Sequence, residues 1–260
     1  MTADLSWGLV DTVVLRVHHD GRDVVVKAGG AGNHHLRREI HARRRWTGPW
    51  LATGSVGALL HACTEAGVLV VEHLPGRLVQ DVPEAAGDPA TYRQAGRLLA
   101  SFHAQHRERD VGHEAAADAK VRWWLEQEHR IPAPAVAGVH EALASHAHDV
   151  VDLVPTHGDW HTRNWLVHEG EVRVIDLGRA ELRPAWTDLV RLAGREWVGR
   201  PDLEEAFLDG YGSDPRPRGL WRATLLREAV GTAVWAYRVG DHAFEEHGLR
   251  LLEEALERYR

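Results

Sequence analysis

Between Thr156 and Asp176 the chain reads THGDWHTRNWLVHEGEVRVID, and this stretch restricts the fold more than any other. His157, Asp159 and Asn164 stand in the spacing H-x-D-x-x-x-x-N. Trp165, Leu166 and Val167 follow as an apolar run, then Glu169-Gly170, then a second run of Val172, Val174 and Ile175 ending on Asp176. Apolar residues on both sides of a glycine-containing turn predict a β-hairpin. Such a hairpin places Asn164 at its entrance and Asp176 at its exit, on the same end, with Asp159 in the loop just before. Three side chains able to handle a metal or a proton then converge on one small volume.

Phosphoryl transfer asks for such a set. One carboxylate orients the acceptor hydroxyl and accepts its proton, while a carboxylate and a carboxamide hold the magnesium ions that bridge the nucleotide phosphates. Asp159 fits the base; Asn164 and Asp176 fit the metal ligands. Two other readings compete. His157, Asp159 and His161, at alternate positions, can share a zinc or iron ion, but that set leaves Asn164 and Asp176 unexplained. Asp and Asn in a loop can also be turn-makers that bond their own backbone, which explains each residue singly and the constellation poorly.

The order base, Asn, hairpin, Asp is the catalytic-loop arrangement of protein kinases. With HGD in place of HRD, the sequence resembles the aminoglycoside phosphotransferase/choline kinase branch of that superfamily. The resemblance implies an α+β, bilobal protein-kinase-like fold: a small β-rich N-lobe over 1–72, a hinge at 73–76 and a larger, mainly helical C-lobe over 77–260. It implies ATP or GTP as phosphate donor, Mg2+ as cofactor and a small-molecule hydroxyl as acceptor. Asp159 and His157 are the candidate catalytic residues, His157 as a hydrogen-bonding residue of the loop rather than an acid or base.

The N-terminal part supplies the nucleotide-binding candidates. Residues 11–28 are two β-branched runs around Asp20-Gly21, the strongest short hairpin signal. Lys27 closes the second run; alone it reads as a strand-end residue, but VVVK resembles the family motif whose lysine pairs with nucleotide phosphates. Glu39, on a predicted helix capped by Asn33, is its partner by resemblance to the family's helical glutamate; the alternative is a solvated Glu among arginines. The strand pair 57–63 and 68–74 flanks another turn, and Pro75-Gly76 ends it. At this hinge the backbones of Glu72 and Leu74 are candidates to pair with a purine edge. The expected phosphate loop, Ser6 to Thr12, holds a single glycine, so close backbone approach is limited there. A second departure is Arg179, where family members often carry an acid; it offsets phosphate charge or bonds a C-lobe carboxylate.

The remaining chain reads as helices: 88–106, Lys120–His129, Ala135–His148, one opening at Pro184, and segments near 201–211, 217–239 and 241–258. Asp188 is expected to accept backbone hydrogen bonds from the catalytic loop, and Leu225, Ala229, Val230, Ala233, Val234 and Tyr237 to form one buried stripe. A net charge of −7 without a basic run argues against nucleic acid and anionic membrane as partners. No stretch approaches a membrane span or a signal peptide, and the single Cys63 fits a reducing cytoplasm.

The acceptor is less constrained. Residues 201–260 hold twelve Asp and Glu against eight Arg, which is too mild an excess to demand a polycation. Six tryptophans (Trp160, Trp165, Trp186, Trp197, Trp221, Trp235) offer rings to a heterocycle or quaternary ammonium, or build the core. The favoured function is an antibiotic O-phosphotransferase conferring resistance, its substrate an aminoglycoside or a nucleoside-type compound. A metabolic kinase for a small alcohol, sugar or amino alcohol such as choline is the second. A silent nucleotide-binding scaffold is the third, and Lys27, Glu39, Asp159, Asn164 and Asp176 together argue against it.

Overall fold

The computed structural model describes residues 2–6, 12–30 and 32–259. Contacts divide the chain into two units, 1–107 with 154–214, and 108–153 with 215–260. The phosphate-loop residues Trp7 to Asp11 lie outside the described residues.

The first unit opens with a five-stranded antiparallel sheet. Strands β1 (Ala3–Asp4), β2 (Thr12–His19), β3 (Arg22–Gly29), β4 (Leu59–Cys63) and β5 (Val68–Glu72) lie in the order β1-β2-β3-β5-β4. The β2–β3 hairpin pairs His19 with Arg22 across Asp20-Gly21, whose φ values of 48° and 75° suit the tight two-residue turn. Helix α1 (His34–Arg45) begins where the Asn33 side chain accepts from the Leu36 N–H. Its Leu36 and Ile40 pack with Leu69 and Val71 of β5, and Val25 of β3 joins them. Residues of alternating direction on β3 thus face α1 with Val25 and Lys27 together.

After α2 (Gly48–Ala52), β6 (Arg77–Leu78) and α3 (Pro83–Ala86) comes the long helix α4 (Pro89–His103), capped by Asp88. Tyr92, Ala95, Leu99 and Phe102 form its buried stripe. Strand β7 (Glu108–Asp110), α5 (His113–Leu125) and α6 (Ala133–Ala144) belong to the second unit, and β8 (Val151–Thr156) leads out of it. The hairpin expected after Asn164 is β9 (Trp165–His168) with β10 (Glu171–Val174), paired Trp165 to Val174 and turning at Glu169-Gly170 with φ of 51° and 80°. Strand β11 (Glu181–Pro184), a 3-10 turn at Ala185–Leu189, α7 (Val190–Gly194) and α8 (Pro201–Tyr211) complete the first unit.

In the second unit α9 (Arg218–Val239) and α10 (His242–Glu257) pack with α5 and α6 around Val121, Val139, Leu143, Leu226, Val230 and Leu252. Three expectations shift here. Helix α5 starts at His113 because Asp110 accepts from the Gly112 and His113 N–H groups and Ala115-Ala116-Ala117 favours helix. Helix α6 begins at Ala133, since a proline in the first turn costs no hydrogen bond, and it stops at Ala144, beyond which His146 and His148 turn to Asp118. The α9 stripe runs through Leu226 and Ala236 rather than Leu225 and Tyr237. In the first unit, Pro184 both ends β11 and stands as N-cap of the 3-10 turn Ala185–Leu189 that runs into α7, so the helical segment expected to open at Pro184 begins one residue on.

Candidate active site

Lys27 sits on β3 opposite Leu69 of β5, with 12% of its side chain exposed. Its Nζ lies 2.7 Å from Glu39 Oε2 and 3.0 Å from Asp176 Oδ1. Burial works against the ammonium, but the charges of Asp176 and Glu39 outweigh it and hold its pKa above the usual lysine value. Glu39 is 1% exposed, and burial alone would raise its pKa; Lys27 and Arg43 together hold it below the ordinary value instead. Arg43 is the part the sequence reading missed. One turn on from Glu39, it donates from Nε to Oε1 at 2.9 Å and from Nη1 to the Gly57 carbonyl at 2.8 Å. Among three consecutive arginines, only its place on the buried face of α1 marks it out.

The hairpin brings the other groups to one end. The Ile175 N–H donates to the Asn164 carbonyl at 3.1 Å, so Asp176 follows directly beside the hairpin entrance. Asp176 has a φ of 63°, a left-handed conformation that aspartate adopts more readily than most non-glycine residues. Its half-exposed carboxyl is held down to about 2, chiefly by the Lys27 charge. The Asn164 side-chain amide donates to the Asp159 backbone carbonyl at 2.8 Å and to its Oδ2 at 3.1 Å, which turns its carboxamide oxygen the other way. Asn164 and Asp176 therefore offer the hard oxygen donors that Mg2+ takes. Among the described residues, no three His, Cys, Asp or Glu side chains gather as a metal site.

Asp159 is 4% exposed. Arg163 reaches its Oδ2 at 3.2 Å, Arg191 Nε lies 2.7 Å from Oδ1, and His161 Nε2 lies 3.5 Å from the same atom. Burial pushes this carboxyl up, yet the His161 imidazole 3.5 Å away and the charges of Arg191 and Arg179 hold it well below the usual carboxylate range.

The loop has its own support. His157 is fully buried and its Nε2 donates to the Ile175 carbonyl at 3.0 Å. Asp188 accepts from the His157 and Gly158 N–H groups at 2.8 and 2.6 Å, as expected of it. His103 of α4 bonds Asp188 at 3.0 Å through Nε2 and the Tyr211 hydroxyl at 2.8 Å through Nδ1. Neither His103 nor Tyr211 carries a sequence signal beyond lying on an amphipathic helix. Beneath the loop runs an aromatic column: Trp160 lies 5.9 Å from Trp50 and 5.4 Å from Trp165, and Trp50 stacks on Phe102 at 4.4 Å. Trp160, Trp165, Trp186 and Trp197 are thus core residues, while Trp221 and Trp235 are half-buried. At the stretch expected to be the hinge, the Glu72 N–H donates to the Ala58 carbonyl at 2.9 Å. Leu74 follows β5 in irregular, half-buried chain.

The model of the phosphotransferase enzyme family (APH) matches residues 3–222. No curated protein sequence matches. Among solved structures, a thermostable mutant of aminoglycoside phosphotransferase APH(4)-Ia in ternary complex with ADP and hygromycin B superposes with a TM-score of 0.71 at 14% identity, over 98% of this chain and 92% of that one. Choline kinase LicA from Streptococcus pneumoniae gives 0.69 at 15% identity, over 96% and 90%. Macrolide 2'-phosphotransferase MphH from Brachybacterium faecium gives 0.57 at 21%, over 94% and 89%. The fold is the protein-kinase-like one these enzymes share.

Proposed function

The chain belongs to the phosphotransferase enzyme family, and from that premise we propose that it moves the γ-phosphate of ATP or GTP to a hydroxyl group of a small molecule. One observation carries the reading: Lys27 Nζ joins Glu39 at 2.7 Å and Asp176 at 3.0 Å, at the same end of the hairpin as Asn164 and Asp159. Lys27 contacts the nucleotide phosphates, held in place by Glu39, which Arg43 fixes in turn. Asn164 and Asp176 would hold Mg2+, which would supply positive charge to offset that of the nucleotide phosphates. The backbones of Glu72 and Leu74 would pair with the purine edge.

Asp159 orients the acceptor hydroxyl and takes its proton as the phosphoryl group leaves. A carboxylate held by arginines stays ionised and is a weak base, so alignment of the hydroxyl is its larger contribution. His157 and Asp188 set the loop that presents it.

The acceptor we favour is an antibiotic, inactivated on phosphorylation; the family relationship and the hygromycin B and macrolide enzymes among the structural neighbours support this. A metabolic kinase is the second reading, favoured by the arginines around Asp159, which contrast with the acidic wall a polycation requires. The test is a susceptibility panel in a sensitive host expressing the gene, followed by mass spectrometry of the inactivated compound. Protection from one antibiotic with one added phosphate is expected. No protection across the panel, with phosphate transfer to a metabolite instead, selects the second reading.

A further inference from the structure

Helix α1 does more than carry Glu39. His35, Arg38 and Glu39 stand at i, i+3 and i+4, so their side chains leave the helix on one side. Glu39 reaches Lys27, and Lys27 reaches Asp176. His35 Nδ1 lies 2.9 Å from the Gly178 carbonyl oxygen, and Arg38 Nη2 lies 3.3 Å from Glu181 Oε1. A carbonyl oxygen only accepts, so the imidazole carries a proton on Nδ1 and donates there. The helix lies close to this strip of chain. A Cβ added at Gly178 would stand 3.4 Å from the His35 Cβ and 3.3 Å from Asp176 Oδ1.

The ends of the strip are held by the loop before β9. His157 Nε2 donates to the Ile175 carbonyl at 3.0 Å, and the Thr156 hydroxyl donates to the Glu181 carbonyl at 2.7 Å. Between those ends the Asp176 carboxyl meets Lys27 and the Gly178 carbonyl meets His35. The two contacts that α1 makes directly are unequal. Arg38 and Glu181 have side chains 35% and 45% exposed, and a pair so exposed contributes little. Arg183 also bonds the other Glu181 oxygen at 2.7 Å. His35 is half-buried and holds a backbone atom two residues from Asp176.

We propose that His35 is a positioning residue for Asp176: by holding the Gly178 carbonyl against α1, it keeps the Asp176 carboxyl where Mg2+ is taken. The assignment rests on the phosphotransferase reading above, in which Asp176 is a metal ligand.

The test is isothermal titration of the full chain with ADP, in EDTA and in excess magnesium; the ratio of the two affinities is the magnesium increment. His35→Leu keeps bulk and removes the donor, while His35→Asn returns an N–H near the place of Nδ1. His35→Leu is expected to lower the increment about three- to tenfold, the scale of one hydrogen bond, with the affinity in EDTA retained. His35→Asn should restore most of it, and Arg38→Gln should change it less than about twofold. Where His35→Leu fails to fold, as read by thermal melting, His35→Gln takes its place with the same expected loss, since its amide sits one carbon further out. A parent-like increment in His35→Leu would overturn the assignment, as would equal losses in His35→Leu and His35→Asn, or a larger loss from Arg38→Gln. Each of these sinks the His35 role alone. A parent chain that does not bind ADP sinks the phosphotransferase reading, and one that binds ADP without a magnesium increment sinks the metal assignment; the His35 role falls with either.

Discussion

Asp159 and Lys27 reach the same site from opposite electrostatic circumstances. In the proposed reading Asp159, held ionised by arginines, aligns the acceptor more than it acts as a strong base, so its removal would delete an orienting group. Asp159→Ala is expected to lower kcat about 10²–10⁴-fold with nucleotide binding retained, as read by steady-state kinetics beside titration with MgATP. Unchanged kcat would remove Asp159 from the chemistry. Lys27 and Glu39 act as one unit. Lys27→Ala should raise the nucleotide KM and lower kcat together, Glu39→Ala should do so more weakly, and the double variant should be no worse than Lys27→Ala. Strictly additive losses would mean that the pair is not coupled. Arg43→Met leaves Glu39 and the Gly57 carbonyl short of a buried partner. It should cost about 3–5 kcal/mol in urea denaturation; a loss below about 1 kcal/mol, the scale of an exposed pair, would contradict the buried assignment. Lys27 and Glu39 are legible in the sequence because a lysine closes the apolar run Val24-Val25-Val26 and a glutamate stands on the helix that follows. Arg43 is not, because helical spacing among arginines does not say which one turns inward.

At the scale of elements, the hairpins and the loop between β8 and β9 were the most readable parts. Asp-Gly and Glu-Gly each fix a two-residue turn locally, so register follows from a few neighbouring residues. Gly158, inside HGD, shows what a local pattern does not contain. Its φ is 78°, and a Cβ there would meet the Arg179 carbonyl oxygen at 2.3 Å. Gly170 has a similar φ of 80° with nothing within 4 Å. Gly158→Ala should therefore displace Asp159 and cut kcat by at least about tenfold, one ångström of misplacement being worth more than that, whereas Gly170→Ala should cost stability only. Equal kinetics in the two variants would contradict the close packing of the loop. Helix ends were less readable: α5 begins after a turn in which Asp110 of the preceding strand accepts from the Gly112 and His113 N–H groups, and α6 ends where His146 and His148 find a buried carboxylate. The tryptophans mislead for the same reason, since Trp160 and Trp165 are polar-tipped rings whose burial depends on Trp50 and Phe102, far off in sequence.

At the scale of the whole chain, each unit has its own buried polar anchor. In the unit of 108–153 and 215–260 it is Asp118, fully buried and bonded by His146, His148 and Arg227, with Arg227 also on Glu114. Burial pushes its carboxyl up, but the histidine and arginine contacts win and hold it down to about 2. A folded pKa below the ordinary 3.8 means stabilisation that is full above pH 4 and fades as pH falls toward 2. The shift corresponds to about 2 kcal/mol. Asp118→Asn should lose about that much at neutral pH and much less near pH 2; equal losses at both would contradict the linkage. None of these partners is near Asp118 in sequence, so neither anchor nor pH response could be read from the chain.

The most direct test of phosphoryl transfer through Asp159 is the fate of the γ-phosphate. The purified chain, MgATP and a library of hydroxyl-bearing antibiotics and metabolites are incubated and analysed by mass spectrometry, in parallel with Asp159→Ala shown to bind MgATP. One compound should gain a single phosphate with the parent chain and none with the variant. Equal product from both, or no transfer to any hydroxyl by a parent chain that binds MgATP, would contradict it.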